Sequence, residues 1–349
     1  MDGFLLTKNE KVFKGKILGN PFSKTGELVF TTSMQGYTES VTDPSYAGQI
    51  LIFSFPLIGN YGVLENHIES SNIWVEAVVA QDVYLESNFV DFLIKKRVPI
   101  LTKVDSRKLV REITHSGSTL GIIYPGNPEK DLKDAEDMLK NAPDPNKLPL
   151  FKNTGSKKKA YYDNGKDLNI ALIDFGVKNG ILKNLMSFAD ISVIPYFEEF
   201  NEYDFDGIVL SNGPGDPKHE ELESFISKLK YIKTPVLGIC LGHQLLGRSL
   251  MLETYKMKFG HRGTNHAVIY DGRIYITTHN HGFAIKYKED EKIIFNQKDI
   301  NDGTVEGFIH RYRPIWGVQY HPESRPGTSD TNFIFEKFRR MVIEYAKGP

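Results

Sequence analysis

Cysteine is almost absent from the chain, because Cys240 is the only one among 349 residues. One cysteine cannot form an internal disulfide, so nothing indicates an oxidising compartment. The charge is nearly balanced, with 43 Lys and Arg against 44 Asp and Glu, which gives no electrostatic reason to expect nucleic acid or an anionic membrane as a partner. Apolar runs of the roughly 20 residues needed to span a membrane are also missing, and the N-terminus, with Asp2, is unlike a signal peptide. We therefore expect a cytoplasmic protein that binds neither nucleic acid nor membrane.

Motifs for nucleotide binding are missing too. The chain contains no GxxxxGK(S/T) stretch and no GxGxxG after a predicted strand, so nucleotide binding by this chain has no support. What the sequence does contain is 40% hydrophobic and 25% charged residues, as in a globular protein with sizeable cores. Because 349 residues exceed one ordinary core, we expect two domains.

The composition changes between residues 141 and 167, where turn-forming residues are frequent and apolar ones scarce. Three consecutive lysines at 157–159 could form a binding patch, but a solvated linker is the commoner fate of such a run. We therefore predict an N-terminal domain at 1–145, a linker at 146–167 and a C-terminal domain at 168–349.

Strand and helix patterns alternate after the linker, which predicts an α/β fold with a doubly wound, mostly parallel sheet. The predicted strands are 168–175, 191–197, 205–213 and 235–240, and the predicted helices are 178–188, 219–230, one directly after residue 240, and 330–347.

The first 140 residues predict a smaller α+β domain. Its strand-like stretches alternate as in a mixed or antiparallel sheet, and helical patterns occur at 88–96, 106–116 and 131–141. The order of the strands in this sheet does not follow from the pattern.

The lone cysteine lies in GICLGHQ, at the end of one predicted strand and the start of a helix. Gly238 and Gly242 would allow a sharp turn that exposes the side chain, and the helix N-terminus would favour the thiolate. The alternative is a buried cysteine that acts as a small hydrophobic residue, the commoner fate of a lone cysteine. A nucleophile would need a base.

A candidate base lies in WGVQYHPE, where His321 and Glu323 follow a strand-like run that Pro322 ends. A cysteine, a histidine and a carboxylate could serve as nucleophile, general base and orienting group. The alternative is a histidine in an ordinary turn. His243, three residues after Cys240, is on the helix and is the weaker candidate for the base.

The loop SNGPGDP at 211–217 follows another predicted strand and could expose backbone N–H groups to an oxyanion. The alternatives are a tight turn, or a helix cap made by Asp216 and Pro217.

Four histidines occur in two loops, but we expect no metal site. Their sequence neighbours are Asn, Gly and Thr rather than the acids or cysteines that usually complete such sites. They are His261, His266, His279 and His281.

GICLGHQ, SNGPGDP and YHPE together resemble the class I, triad-type glutamine amidotransferase domain, from about residue 168 to the C-terminus. The stretches TTSMQGYTESVTDPSYAGQI, FPLIGNYGV and VDSRKLVREI of the first domain resemble the small-subunit family of carbamoyl-phosphate synthetases. DFGVKNGIL and NHGFA fit the same family, so the resemblance spans nearly the whole chain.

This resemblance implies a class I amidotransferase-like fold and hydrolysis of glutamine at Cys240. His321 would transfer the proton during this hydrolysis, and Glu323 would orient the ring of His321. It further implies that the N–H groups of Gly215 and Leu241 hold the oxyanion. By the same resemblance, the residues that bind glutamine are Ser45, Gly213, Gln244, Asn280, Gly282 and Phe283.

The resemblance also implies a partner, the large synthetase subunit, which would carry ATP and Mg²⁺ and receive the ammonia. No cofactor is expected in this chain. Three alternatives stay open: the glutaminase of another synthetase, a non-catalytic docking subunit, and a cysteine peptidase of related elbow architecture.

Overall fold

The structure, a computed structural model, describes residues 1–19 and 21–347. Its contacts divide the described chain into two compact units. The first unit comprises Met1–Leu148 together with Lys258–Gly263, and the second comprises the rest of the described chain.

The first unit is built on a closed barrel with the strand order β1-β2-β8-β6-β4-β3-β9. The pairs β3–β4, β4–β6 and β6–β8 are parallel and the others antiparallel, so the sheet is mixed. The strands of this unit are β1 (Asp2–Thr7), β2 (Val12–Leu18), β3 (Lys24–Thr31), β4 (Gln49–Phe53), β5 (Leu57–Ile58), β6 (Ala77–Val79), β7 (Asp82–Val83), β8 (Ile100–Thr102) and β9 (Leu120–Pro125).

Three helices of the first unit, α2 (Asn88–Lys95), α3 (Ser106–Ser116) and α4 (Pro128–Lys140), begin at a side-chain cap. In α3, which has the predicted bounds, Asp105 Oδ1 accepts the N–H of Lys108. In α4, Asn127 caps the N–H of Glu129 and Pro128 occupies the first turn, so the helix begins three residues before its predicted start. The remaining helix of this unit is α1 (Tyr37–Thr42).

The second unit contains a ten-stranded sheet with the order β10-β12-β11-β13-β14-β19-β18-β16-β15-β17. Its strands are β10 (Ala160–Tyr162), β11 (Asn169–Asp174), β12 (Asp190–Pro195), β13 (Gly207–Leu210), β14 (Val236–Ile239), β15 (Thr254–Tyr270), β16 (Arg273–Ile285), β17 (Ile293–Asp299), β18 (Val305–His310) and β19 (Ile315–Val318). Its helices are α5 (Phe151–Thr154), α6 (Asn179–Met186), α7 (Glu223–Leu229), α8 (Leu241–Ser249) and α9 (Phe333–Ala346).

The predicted alternation of strands and helices is confirmed to within a few residues, but the sheet is mixed rather than mostly parallel. The five neighbouring strands from β12 to β19 in the sheet order are parallel. By contrast, the pairs β15–β17, β17–β18 and β18–β19 are antiparallel. The reason is that no helix separates β15 to β19 along the chain, and short connections join neighbouring strands antiparallel.

The parallel strands are apolar on both faces because helices cover both sides of the sheet. Along β11, Ile170 and Leu172 belong to one buried cluster and Ala171 and Ile173 to the other. The first cluster includes side chains of α6 and α9, and the second includes side chains of α7 and α8. Because helices cover both faces, a site on these strands can lie only at the strand ends. Among the described residues, no helix combines the length and the apolar character that crossing a membrane would require.

The segment predicted as a linker carries structure of its own. Phe151 is fully buried and its ring meets Tyr196 edge-on, at 5.1 Å between centroids. The N–H of Ser156 donates to Asp174 Oδ2 at 2.8 Å, and β10 then adds an antiparallel edge to β12. The burial of Phe151 and the pairing of β10 with β12 give this segment a fixed structure in spite of its turn-rich composition.

A large-to-small substitution tests the double-sided burial of β11. We expect Leu172→Ala, at a fully buried position, to lower the free energy of unfolding by about 2–5 kcal/mol through lost burial and the cavity left behind. Urea unfolding followed by the fluorescence of Trp316, which lies in β19, measures this.

The matched control is Ile274→Ala, because Ile274 is 63% exposed in the same unit. Its expected effect is within about 0.5 kcal/mol. Equal effects of the two variants would contradict the layered arrangement.

Candidate functional site

The candidate catalytic residues lie at the carboxyl ends of parallel strands, where α/β sheets place their sites. Cys240 follows β14 directly, and His321 and Glu323 follow β19, its neighbour in the sheet. The loop at 211–217 follows β13 on the other side of β14. The sheet order therefore brings together segments that are far apart in the sequence.

Cys240 occupies a strained turn between β14 and α8. Its φ of 53° and ψ of −103° are unusual for a residue other than glycine. Its N–H donates to Val318 O at 2.9 Å, which ties the turn to β19. The predicted sharp turn is present, but the prediction that it exposes the side chain is wrong, because Cys240 is only 3% exposed. The strain is of the kind found where a backbone positions a nucleophile.

The two glycines of the elbow are required by close backbone approaches. A Cβ at Gly238 would lie 2.5 Å from the carbonyl oxygen of Gly242, and a Cβ at Gly242 would lie 2.2 Å from that of Leu210. Both distances are far below ordinary contact. The start of α8 can therefore lie against β13 and β14 only if side chains are absent at these positions.

The three predicted catalytic side chains are buried together. Cys240 is 3% exposed, His321 0% and Glu323 3%. His321 Nδ1 and Glu323 Oε1 are 2.8 Å apart. The Cys240 thiol donates to Asn280 O, with 3.7 Å between sulfur and oxygen, and it is also close enough to His321 to raise the pKa of that ring.

The charges of this group act on one another. Burial and the positive charge of Lys178 act to lower the pKa of His321, but the Glu323 carboxylate and the contact with Cys240 outweigh them and raise the pKa to about 10. Burial likewise acts to raise the pKa of Glu323, and Lys178 and His321 lower it to about 2. An imidazolium paired with an ionised carboxylate is therefore favoured at neutral pH, and the Cys240 thiol is the neighbouring group that can supply the proton to the ring.

Lys178 is a member of this group to which the sequence reasoning gave no role. It lies in the turn between β11 and α6, its side chain is buried, and its Nζ is 2.7 Å from Glu323 Oε1. Nζ also donates to the carbonyl oxygen of Arg325. The available signal was a lysine in DFGVKNGIL, directly after a buried strand, where an unpaired ammonium group would be costly.

The loop at 211–217 lies beside the elbow. The N–H of Gly242 donates to Ser211 O at 3.1 Å. A Cβ at Gly213 would lie 2.6 Å from Phe175 O, and Gly215 has a φ of 99°, which favours glycine. Leu241 is the first residue of α8, so its N–H is one of the unpaired donors at the helix start. The oxyanion role of Gly215 and Leu241 stays a prediction.

Several predicted glutamine-binding residues are near Cys240. Gln244, one turn along α8, donates from Nε2 to Phe283 O at 2.8 Å and to Gln319 Oε1 at 3.0 Å. Asn280, Gly282 and Phe283 all belong to β16, and the carbonyl of Asn280 meets the thiol. Gln244 therefore ties the nucleophile's helix to the strand that faces the thiol.

Ser45 lies in the first unit, where it is 7% exposed and its N–H donates to Asp43 Oδ1 at 2.9 Å. Its role in glutamine binding stays a prediction.

His243 is a structural residue rather than a base. Its side chain is fully buried, with its ring 5.0 Å from that of Phe308. Burial lowers the pKa of His243 to about 3, so the ring is neutral at ordinary pH.

Comparisons with known proteins find relatives over nearly the whole chain. One family model, glutamine amidotransferase class-I, matches residues 171–341, and another, the CPSase domain of carbamoyl-phosphate synthase small chain, matches residues 5–123. The carbamoyl phosphate synthase small chain of Caldanaerobacter subterraneus is 38% identical, covering 99% of this chain and 98% of its own. The pyrimidine-specific small chain of Bacillus subtilis is also 38% identical, covering 97% and 95%.

Among solved structures, a putative GMP synthase subunit from Thermoplasma acidophilum is similar to part of this chain. The match covers 52% of this chain and 96% of the solved chain. That pair has 23% identity and a TM-score of 0.44.

The buried pair of Lys178 and Glu323 generates a stability prediction. We expect Lys178→Met to lower the free energy of unfolding by about 3–5 kcal/mol, because it leaves the Glu323 charge buried without its ammonium partner. Urea unfolding with Trp316 fluorescence measures the loss, and the exposed Lys183→Met on α6 is the control.

The double variant Lys178→Met with Glu323→Gln completes a thermodynamic cycle. If the two single effects simply add in the double variant, the pair is not coupled and the assignment is wrong.

The protonation of His321 generates a pH prediction. The pKa is raised from 6.5 to about 10, so proton binding stabilises the folded state fully below pH 6.5 and this contribution is lost as the pH rises through about 10. The stability difference between wild type and His321→Asn should therefore shrink over that range in urea unfolding. A difference that grows with pH would refute the charge assignment.

Proposed function

The chain belongs to the carbamoyl-phosphate synthase small chain family, and from this premise we propose that it is the glutaminase subunit of a glutamine-hydrolysing carbamoyl-phosphate synthase. It hydrolyses L-glutamine to glutamate and ammonia. The observation that carries the proposal is the buried group of Cys240, His321 and Glu323 at the carboxyl edge of the parallel strands.

Cys240 is the nucleophile. Its sulfur attacks the side-chain amide carbon of glutamine while the proton of the thiol rests on His321, whose raised pKa favours this. The carbon–nitrogen bond breaks as His321 gives that proton to the leaving nitrogen, and ammonia departs. A γ-glutamyl thioester stays on Cys240.

Water completes the reaction. His321 takes a proton from a water molecule that attacks the thioester, and the carbon–sulfur bond breaks to release glutamate and restore the thiol. Glu323 holds the ring through Nδ1, at 2.8 Å, so that its other nitrogen faces the chemistry. Lys178 keeps Glu323 ionised and fixed in place.

Backbone donors stabilise the negative oxygen of the tetrahedral intermediate. The N–H groups of Gly215 and Leu241 fill this role in the proposal, and one such donor is worth about 3 kcal/mol. Two features support it: Leu241 begins α8 directly after the nucleophile, and Gly215 lies in the loop beside the elbow.

Glutamine is held by Gly213 and residues around the elbow. Gln244 already uses both of its N–H donors on Phe283 O and Gln319 Oε1. Its carbonyl oxygen, which can only accept, is therefore the atom with which it binds an N–H of glutamine. Asn280, Gly282 and Phe283 of β16 line the other side of the thiol.

The ammonia is used on a partner, the large synthase subunit, which binds ATP and Mg²⁺ and makes carbamoyl phosphate from bicarbonate. The support is the small-chain family itself, together with the missing nucleotide-binding motifs in this chain.

Glutamate release tests the proposed activity. The purified chain, with and without the large subunit, is incubated with glutamine and glutamate is followed. We expect Cys240→Ser to lose at least about 10²-fold in rate, and wild type to yield a γ-glutamyl adduct on the Cys240 peptide by mass spectrometry.

Ammonia as the nitrogen source provides the control. The complex with Cys240→Ser should still make carbamoyl phosphate from ammonia, which separates a lost nucleophile from a failed assembly. Unchanged glutamate release in Cys240→Ser, or none from wild type with its partner, would overturn the proposal.

A further inference from the structure

Gln319 is a fully buried amide that directly follows β19, two residues before His321. Its side-chain oxygen, Oε1, accepts a hydrogen bond from Gln244 Nε2 at 3.0 Å. Gln244 lies one turn after the nucleophile on α8. Gln319 takes no part in the proposed chemical steps, so its contact with Gln244 needs an explanation of its own.

Two acceptors determine which way the amide of Gln244 faces. Phe283 O and Gln319 Oε1 each accept one N–H of Gln244 Nε2, at 2.8 and 3.0 Å. A backbone carbonyl has no proton to donate, so the nitrogen end of the amide must face Phe283. The bond to Phe283 alone fixes the position of the nitrogen, whereas two acceptors fix the plane of the whole amide. The direction of Gln244 Oε1 therefore depends on Gln319 as well as on Phe283.

The Gln319 side chain has no other hydrogen bond within the part of the chain that the structure describes. Its Nε2 has no partner among the described residues. The backbone of Gln319 is held separately, because its N–H donates to Glu306 O at 2.9 Å. Buried side-chain amides are usually paired at both ends. The polar side chain at this position therefore acts on Gln244, and the backbone bond keeps the strand end in place without it.

The oxygen of Gln244 is the atom of this arrangement that can bind a substrate. Both of its N–H groups are used, so Oε1 is an acceptor that points in a fixed direction. An acceptor that is already held in place loses little conformational freedom when the substrate binds.

We propose that Gln319 is a positioning residue for glutamine binding that acts through Gln244. It holds the Gln244 amide so that Oε1 presents its lone pairs to an N–H of the substrate. This inference rests on the proposed glutaminase function, but the orientation of the Gln244 amide can be measured without turnover.

Steady-state kinetics of glutamate release test the proposal, with the large subunit present. Gln319→Met keeps the length of the side chain but removes the acceptor. We expect the KM for glutamine to rise about 10-fold, the effect of one ordinary hydrogen bond, with kcat within about twofold of wild type. The reason is that Gln244 binds the substrate equally in the ground state and the transition state.

A fall in kcat with unchanged KM would overturn the proposal, because the substitution would then act on the neighbouring His321. Circular dichroism checks folding. Gln319→Leu, which also lacks the acceptor, is the second variant if Gln319→Met does not fold.

A double variant shows whether the effect passes through Gln244. We expect Gln319→Met to add nothing to the raised KM of Gln244→Ala, since the amide that it positions is gone. Additive effects on KM would give Gln319 a role independent of Gln244 and would contradict the proposal.

Gln297 provides a matched control in the same unit. It is buried in β17, and its Oε1 accepts the hydroxyl proton of Tyr320 at 2.6 Å, so it also holds a neighbour of His321. Gln297→Met should leave the KM for glutamine at the wild-type value. A rise equal to that of Gln319→Met would indicate a general disturbance of the strand end and count against the positioning role.

The side-chain amide signals of a chain labelled with ¹⁵N-glutamine measure the geometry without catalysis. Gln244→Ala identifies the Gln244 signals by their disappearance, and we expect Gln319→Met to shift them. Unshifted signals would refute the positioning role even in an active enzyme. If wild type releases no glutamate with its partner present, the proposed function fails, and the Gln244 signals still decide whether Gln319 holds the amide.

Discussion

The ionised side chain of Glu323 connects the parts of the site that the chain supplies from different places. One of its oxygens meets both Lys178, from the turn after β11, and His321, from the end of β19. A buried carboxylate is expensive unless its charge is matched, so neither partner can leave without a large cost. The same interaction orients the ring, keeps it protonated and ties two strand ends together. The position of the base relative to Cys240 follows from it.

Backbone geometry supplies the other half of the arrangement. The thiol is placed by the strained torsion angles of Cys240 and by two glycines that permit contacts no side chain would allow. The side chain of Gln244 then joins α8 to β16. The nucleophile is therefore positioned by the main chain, and the base by charge. This division agrees better with an enzyme than with a docking subunit, which would have no use for a strained cysteine beside a protonated histidine.

Much of this was predictable from local pattern. The strands and helices of the second unit follow from alternating apolar stretches, and Cys240, His321 and Glu323 from the glycine frame and the strand-end position. The role of Lys178 was not predicted because its partner, Glu323, is far along the chain. The sequence around a single lysine does not indicate which acid it pairs with. For the same reason, the sequence did not reveal that Glu306 Oε2 lies 3.6 Å from His279 Nδ1. The ordered segment around Phe151 depends on long-range packing, which composition does not encode.

The solitary cysteine at the elbow gives the protein a built-in chemical reporter. Any reagent that alkylates thiols has one target in the native chain, so its stoichiometry counts competent sites directly. Because that thiol is only 3% exposed, the speed of labelling measures how often the surrounding strands open rather than how reactive the sulfur is. Occupancy of the site by a small molecule would appear as a slower label. The rate at which this pocket opens can thus be measured without introducing an additional cysteine or probe site.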